Sequence, residues 1–267
     1  MTLFHLFLIA VIQGITEFLP ISSSGHLILL PGLTGMADQG HIIDVAVHVG
    51  TLAAVVLYFW KDSMLALGGL TRVARGKIDT PGAFLALCLI VATIPVMAVG
   101  LVLELTGLED MMRSIAVIGW TMLIFGIVLW VADTRFPETR KANTWTLKHA
   151  IILGLWQVVA LIPGTSRSGI TITGARMLGY DRVGAARLSM LMSIPTILAS
   201  AVLVGGKAAA EADMAVLRDG AIAAGFTFVS ALIALAVMMR LARSISFTPY
   251  VVYRVILGLV LLWIAYT

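Results

Sequence analysis

Two polar stretches interrupt an otherwise apolar chain: QGITEFLPISSSGH at residues 13–26 and PGTSRSGIT at residues 163–171. The first holds a carboxylate (Glu17), three consecutive hydroxyls (Ser22, Ser23, Ser24), a glycine (Gly25) and an imidazole (His26). A serine becomes a nucleophile once a base takes its proton, and a histidine close by in sequence can take or return that proton near neutral pH. Glu17 has two uses open to it, holding a divalent cation or orienting the histidine. A lone carboxylate among hydroxyls suits Mg²⁺, which takes few protein ligands and completes its shell with water and the oxygens of a bound pyrophosphate. In the second stretch Arg167 is surrounded by Ser166, Ser168 and Thr171, with Gly164 and Gly169 beside them. A guanidinium ringed by hydroxyls favours bidentate contact with a phosphate-like oxyanion. A helix restarting near Ser168 would add free N–H groups to the same site.

Plainer roles stay open for the same residues. Arg167 and Glu17 can form a structural ion pair, His26 can bond a backbone carbonyl at a helix start, and Ser22 and Ser24 can cap turn amides. Asp44 and His48 lie four apart on one helical face, either as support for the site or as a buried pair. His5, His41 and His149 read as interfacial residues, and the methionines as lipid-facing or core filler.

Such groups are costly in lipid, and the rest of the chain implies lipid. Of 267 residues 60% are hydrophobic and only 12% charged, with a mean hydropathy of +1.03; soluble domains carry about a quarter charged residues. The chain is therefore all-α and polytopic, and its ionisable clusters mark function. Net charge is +4, but the basic residues sit singly or in pairs between apolar spans. That pattern fits a positive-inside bias and excludes nucleic acid as a partner. The one cysteine, Cys88, excludes an intrachain disulfide and reads as a small buried hydrophobe. The N-terminal MTLFHLFLIAVIQG lacks the charge and cleavage pattern of a signal peptide and is expected to be retained.

Residues 3–12 are too short to span and predict half of a re-entrant hairpin, which Gly14 and Pro20 break and residues 27–33 lead back. Spans are expected at 41–60, 82–103 and 114–132, with loops at 61–81 and 133–148 and an acidic loop near Glu104, Glu109 and Asp110. From about 149 the pattern starts again: an interrupted apolar segment, the second polar turn, and spans at about 186–205, 219–239 and 249–266. Gln13 to Gly25 and Gln157 to Gly169 begin alike and end alike on Ser-x-Ser-Gly, and HVGTLAAV (48–55) matches SIPTILAS (193–200) at nearly the same offset. A single integral-membrane domain over 1–267 follows, with repeat halves of about 1–140 and 141–267. Each half is a re-entrant hairpin plus three transmembrane helices, an odd number that inverts the second half against the first. Ten basic residues fall in the loops at 61–81, 133–148 and 240–248, against Arg113, Lys207 and Arg218 on the other side. The basic side is expected to be cytoplasmic and both termini external, so that the two turns enter from opposite faces and meet.

The two motifs closely resemble those of the BacA, or bacitracin-resistance, family of undecaprenyl-pyrophosphate phosphatases. The resemblance covers essentially the whole chain. Gln13 and Glu17 match the family's (Glu/Gln)-x-x-x-Glu element, and Pro163 to Thr171 its Pro-Gly-x-Ser-Arg-Ser-x-x-Thr element. Gln13 in place of a first carboxylate argues against a mechanism needing two carboxylates on the metal. The resemblance implies hydrolysis of undecaprenyl pyrophosphate to undecaprenyl phosphate and inorganic phosphate in the bacterial cytoplasmic (inner) membrane, dependent on Mg²⁺ or Ca²⁺. It also implies recycling of the carrier for cell-wall synthesis, and bacitracin resistance. Glu17, Ser23, His26 and Arg167 become the catalytic set, Ser22, Ser166, Ser168, Thr171 and Gly164 the substrate contacts, and Glu17 with Gln13 the metal ligands. Ser23 is favoured as nucleophile, with His26 or a metal-bound water as the other choices; a homodimer is left open. The type-2 phosphatidic-acid phosphatases share a similar Ser-Gly-His element, but Thr173 stands where their second motif needs histidine. The rival class is a transporter or flippase of phosphorylated polyprenyl lipid, suggested by the inverted repeat alone.

Overall fold

The computed structural model describes residues 1–35, 40–108, 112, 114–211 and 213–267, without the side chains at 28, 31–34, 41 and 204–211. The sequence expectations for Arg113, Lys207, Glu109 and Asp110 and the side chain of His41 therefore lie outside the described residues. All named elements are helical: α1 Leu3–Phe18, α2 Ser23–Thr34, α3 Gly40–Tyr58, α4 Trp60–Val73, α5 Pro81–Thr106, α6 Ile115–Arg135, α7 Leu147–Val158, α8 Arg167–Met177, α9 Arg182–Glu211, α10 Met214–Leu241 and α11 Thr248–Tyr266. Five of them (α5, α6, α9, α10 and α11) are long and apolar enough to cross a membrane. A sixth span results if α3 and α4, bent by 96° at Phe59, count as one.

Helix starts follow local chemistry. Thr80, Ser114, Thr146 and Asp213 each accept a backbone N–H from the first turn of α5, α6, α7 and α10, which satisfies donors a helix leaves free. The expected loop at 61–81 is corrected by α4, whose Asp62 lies in its first turn and Arg72 in its last, each complementing the helix dipole. Arg72 then forks onto Asp79 at 2.7 and 2.8 Å, and that hydrogen bond holds the Asp79 carboxyl below the usual range. Helix α9 also begins earlier and runs further than the expected span.

The 16 residues of α1 reach about 24 Å, short of a hydrocarbon core of about 30 Å. It ends at Phe18; Pro20 and a left-handed Ser22 (φ 74°) turn the chain into α2. In the second half α7 passes through a single 3₁₀ turn, Val159–Leu161, and a left-handed Ser166 (φ 72°), into α8. Neither turn could sit bare in lipid. Each short helix is sheathed by the other half of the chain, α1 against α10 and α7 against α5. Around them α3 packs on α9 and α10, and α6 on α11. The α1–α10 approach needs a residue without Cβ, because one on Gly14 would lie 2.0 Å from Ser230 Oγ.

One end is locked by ions. Asp133, fully buried near the end of α6, takes the guanidinium groups of Arg176 at 3.1 Å and Arg182 at 2.8 Å and the Phe247 N–H at 3.0 Å. The buried Arg176 also donates to the Tyr180, Asp133 and Phe136 carbonyls. Beside it the Tyr180 phenol, pushed up to about 12 by burial, stays a hydroxyl at any physiological pH and bonds His149 Nδ1 at 2.7 Å. His149, expected at an interface, is buried in this knot.

Candidate active site

The two turns meet. Ser168 Oγ of the second donates to the Leu19 carbonyl of the first at 2.9 Å. Glu17, at the end of α1, has one carboxylate oxygen on Arg167 at 2.7 Å; the other accepts from Ser23 Oγ at 2.9 Å and from the Gln13 amide at 3.1 Å. A single buried carboxylate thus joins the hydroxyl of one turn to the guanidinium of the other. Glu17 reaches them because Gln13 lies one helical turn before it on the same face of α1, while Ser23 and Arg167 each open the helix after a turn.

The turns share a construction. Ser22 and Ser166 are the two non-glycine residues with positive φ among the described residues, a conformation costing about 1–3 kcal/mol. Each bonds the hydroxyl two residues on, Ser24 and Ser168, at 3.2 Å. Ser166 Oγ further accepts the Gly169 N–H and so caps α8. The helix restarts at Arg167, one residue before the position expected from sequence, which leaves Ser166 as its cap. Thr171 Oγ1 and Ser189 Oγ lie 2.6 Å apart, and the Ser189 carbonyl accepts a long bond, 3.4 Å, from Arg167. Gly164 (φ +84°) presses on α6, where a Cβ would lie 2.3 Å from Thr121 Oγ1. Ser22, Ser166, Ser168 and Thr171 are buried and their hydroxyls are bonded inside the turns, whereas Ser23 and Arg167 are only partly covered.

His26 follows Ser23 by one turn of α2. Its Nδ1 lies 2.7 Å from the Ser22 carbonyl oxygen, and its Nε2 bonds the hydroxyl of Tyr253 on α11. The Ser23 hydroxyl is given to Glu17 rather than to His26. His48 approaches the same carboxylate, its Nε2 3.9 Å from Glu17, while its Nδ1 is held by the Asp44 carbonyl at 2.7 Å. The pairing of His48 with Asp44 is thus to backbone.

Arg254 and Tyr253, which the sequence reading did not single out, complete the arrangement. The Arg254 guanidinium is fully buried and donates to the carbonyls of Pro20 in the first turn, Gly164 and Thr165 in the second, and Thr121 and Met122 of α6. A charged side chain inside a C-terminal apolar helix was the available signal, since such a residue needs partners at that depth.

For a divalent cation the donors are few. No group of three His, Cys, Asp or Glu converges among the described residues. Gln13 Oε1, however, is buried without a partner beside Glu17, and an amide oxygen with a carboxylate suits a hard cation whose other ligands are phosphate oxygens.

A family model, Bacitracin resistance protein BacA, matches residues 6–260. The chain belongs to the BacA family. Among curated BacA relatives, Undecaprenyl-diphosphatase of Dinoroseobacter shibae is 71% identical over 267 residues, all of both chains. The protein of the same name from Roseobacter denitrificans is 67% identical over the same length. A more distant one from Saccharophagus degradans is 45% identical over 99% of this chain and all of its own. Matches of this length span the stretches of this chain that hold both polar turns and the helices around them.

Proposed function

We propose that the chain hydrolyses undecaprenyl pyrophosphate to undecaprenyl phosphate and inorganic phosphate within the membrane, recycling the lipid carrier for cell-wall synthesis and conferring bacitracin resistance. The observation that carries this reading is the Glu17 carboxylate shared by Ser23 and Arg167, a nucleophile and an anion clamp brought together from the two halves of the chain. A carrier of phosphorylated lipid would need the clamp alone.

Ser23 Oγ attacks the terminal phosphorus, its proton passing along the existing hydrogen bond toward Glu17, and the anhydride bond breaks to release undecaprenyl phosphate. Water then cleaves the phosphoserine and yields inorganic phosphate, with His26 taking the water's proton and Glu17 returning its own to the Ser23 oxygen. Arg167 turns from Glu17 to the phosphoryl oxygens, where charge builds up. Ser22, Ser166, Ser168, Thr171 and Gly164 shape the two turns and aim their backbone groups at the phosphates. Mg²⁺ or Ca²⁺ held by Glu17 and Gln13 Oε1 would neutralise pyrophosphate charge. The inverted arrangement of the halves, with the basic loops in the cytoplasm and both termini outside, fits the cross-sheathing of α1 by α10 and of α7 by α5.

The deciding experiment is phosphate release from undecaprenyl pyrophosphate by purified protein in detergent, with and without EDTA, wild type beside Ser23→Ala. Metal-dependent release lost in Ser23→Ala is expected. Release surviving in the variant moves the attack to water or His26, and no release from folded wild type leaves the carrier reading in its place.

A further inference from the structure

We infer that Tyr253 positions His26, holding the imidazole in one tautomer and one plane, and relays to it the proton that it takes. The inference rests on His26 acting as the proton-handling group of the hydrolysis proposed above. A carbonyl oxygen can only accept, so the 2.7 Å contact between His26 Nδ1 and the Ser22 carbonyl puts the proton on Nδ1. In the neutral ring Nε2 is then the acceptor, and the Tyr253 hydroxyl is its donor. The two rings lie parallel, 4° apart in plane with centroids 5.6 Å apart. The phenol therefore fixes the plane of the ring and occupies its one free lone pair, so the water's proton reaches Nε2 through the Tyr253 hydroxyl, which gives its own proton to Nε2 as it takes the water's.

Both anchors are rigid. Ser22 is locked by its left-handed backbone and its bond to Ser24. Tyr253 is adjacent in α11 to Arg254, whose guanidinium binds carbonyls of both turns. The last helix thus grips the turns through one side chain and the imidazole through the next. Tyr253 is 42% exposed on a stretch of α11 whose Val252 and Ile256 are also exposed. Its ring adds little to the packed core, and among the described residues its hydroxyl bonds His26.

The test compares wild type, Tyr253→Phe, His26→Asn and the double variant by steady-state hydrolysis of undecaprenyl pyrophosphate. Phenylalanine keeps the ring, and monodispersity and melting temperature check folding. We expect kcat to fall about tenfold or more in Tyr253→Phe with KM within about threefold, because a base anchored at Nδ1 alone and without its relay hydroxyl loses part of an effect of about 10²–10⁴. In the His26→Asn background the same change should cost nothing further. In ¹⁵N-histidine spectra the His26 Nε2 resonance should move on loss of the hydroxyl. Unchanged or raised kcat, a loss confined to KM, an equal loss with and without His26, or an unmoved resonance would each overturn the inference. If wild type itself released no phosphate, the proposed function would fail, and the ¹⁵N measurement would still judge the Tyr253–His26 bond.

Discussion

At the scale of single residues, the site turns on groups that are each expensive to keep. Arg167 and Glu17 pair across 150 positions of sequence, and the guanidinium retains donors beyond those the carboxylate uses. A lysine at 167 would supply charge without the planar fork. Arg167→Lys is expected to lower kcat by about 10²-fold or more while the purified protein stays folded; near-wild-type turnover would remove Arg167 from the transition state. Arg254 has the opposite character. It meets carbonyls only, and a methionine of similar reach would strand several of them in the interior, each at about 1–3 kcal/mol. Arg254→Met should therefore cost about 3 kcal/mol or more, read as a lower melting temperature in detergent together with lost activity. Arg167→Lys, by contrast, should lose activity with little change in melting temperature.

At the scale of elements, the short helices α1 and α7 depend on the helices packed against them. Neither α1 nor α7 is by itself long enough to cross a membrane, and each ends in a turn whose backbone must be satisfied by protein. The sheathing helices supply this, and they come so close that side-chain volume at the contact is critical. Gly14→Val is expected to force α1 away from Ser230 of α10, at about 1–3 kcal/mol for overpacking. Because Glu17 rides on the same helix, activity should fall with stability in that variant. A wild-type melting temperature would mean that the α1–α10 approach is looser than the structure has it. The ionic knot behaves likewise: Asp133→Ala leaves Arg176 and Arg182 with only the half-exposed Glu138 carboxylate, at 3.3 and 3.4 Å, at the joint of α6, α8, α9 and α11. Breaking one side of such a buried cluster costs about 3–5 kcal/mol, and thermal unfolding beside the isosteric Asp133→Asn would measure it.

At the scale of the whole molecule, the expected consequence of inversion is topological. A cysteine placed at Arg140 should be shielded from a membrane-impermeant thiol reagent in intact cells, and one at Asp213 should react. Cys88 is fully buried and should stay silent in the parent chain. The reverse pattern, or both sites on one side, would reject the inverted arrangement. The proposed metal requirement also belongs to this scale: if Glu17 and Gln13 hold the ion, substrate and water supply its remaining ligands. EDTA should abolish turnover without lowering the melting temperature of the substrate-free protein, in contrast to a structural metal, whose removal unfolds its host.

The sequence by itself determined the helical membrane class, five of the six expected spans and the two polar turns that meet. Hydropathy needs no partner to be read, and an ionisable residue in lipid is costly wherever the chain folds. The shared Gln…Ser-x-Ser-Gly frame marked both turns, and each holds its serine in the same left-handed conformation. Which groups face one another was left to the tertiary structure. Adjacency along α2 suggested His26 as the partner of Ser23, but helical geometry sends the Ser23 hydroxyl back to Glu17 and gives the imidazole to Tyr253, 227 positions away. Arg254 gave no motif because its partners are backbone carbonyls, which every residue has. A pattern in one dimension records which side chains are costly to bury; only the packing of α11 against both turns decides what satisfies them.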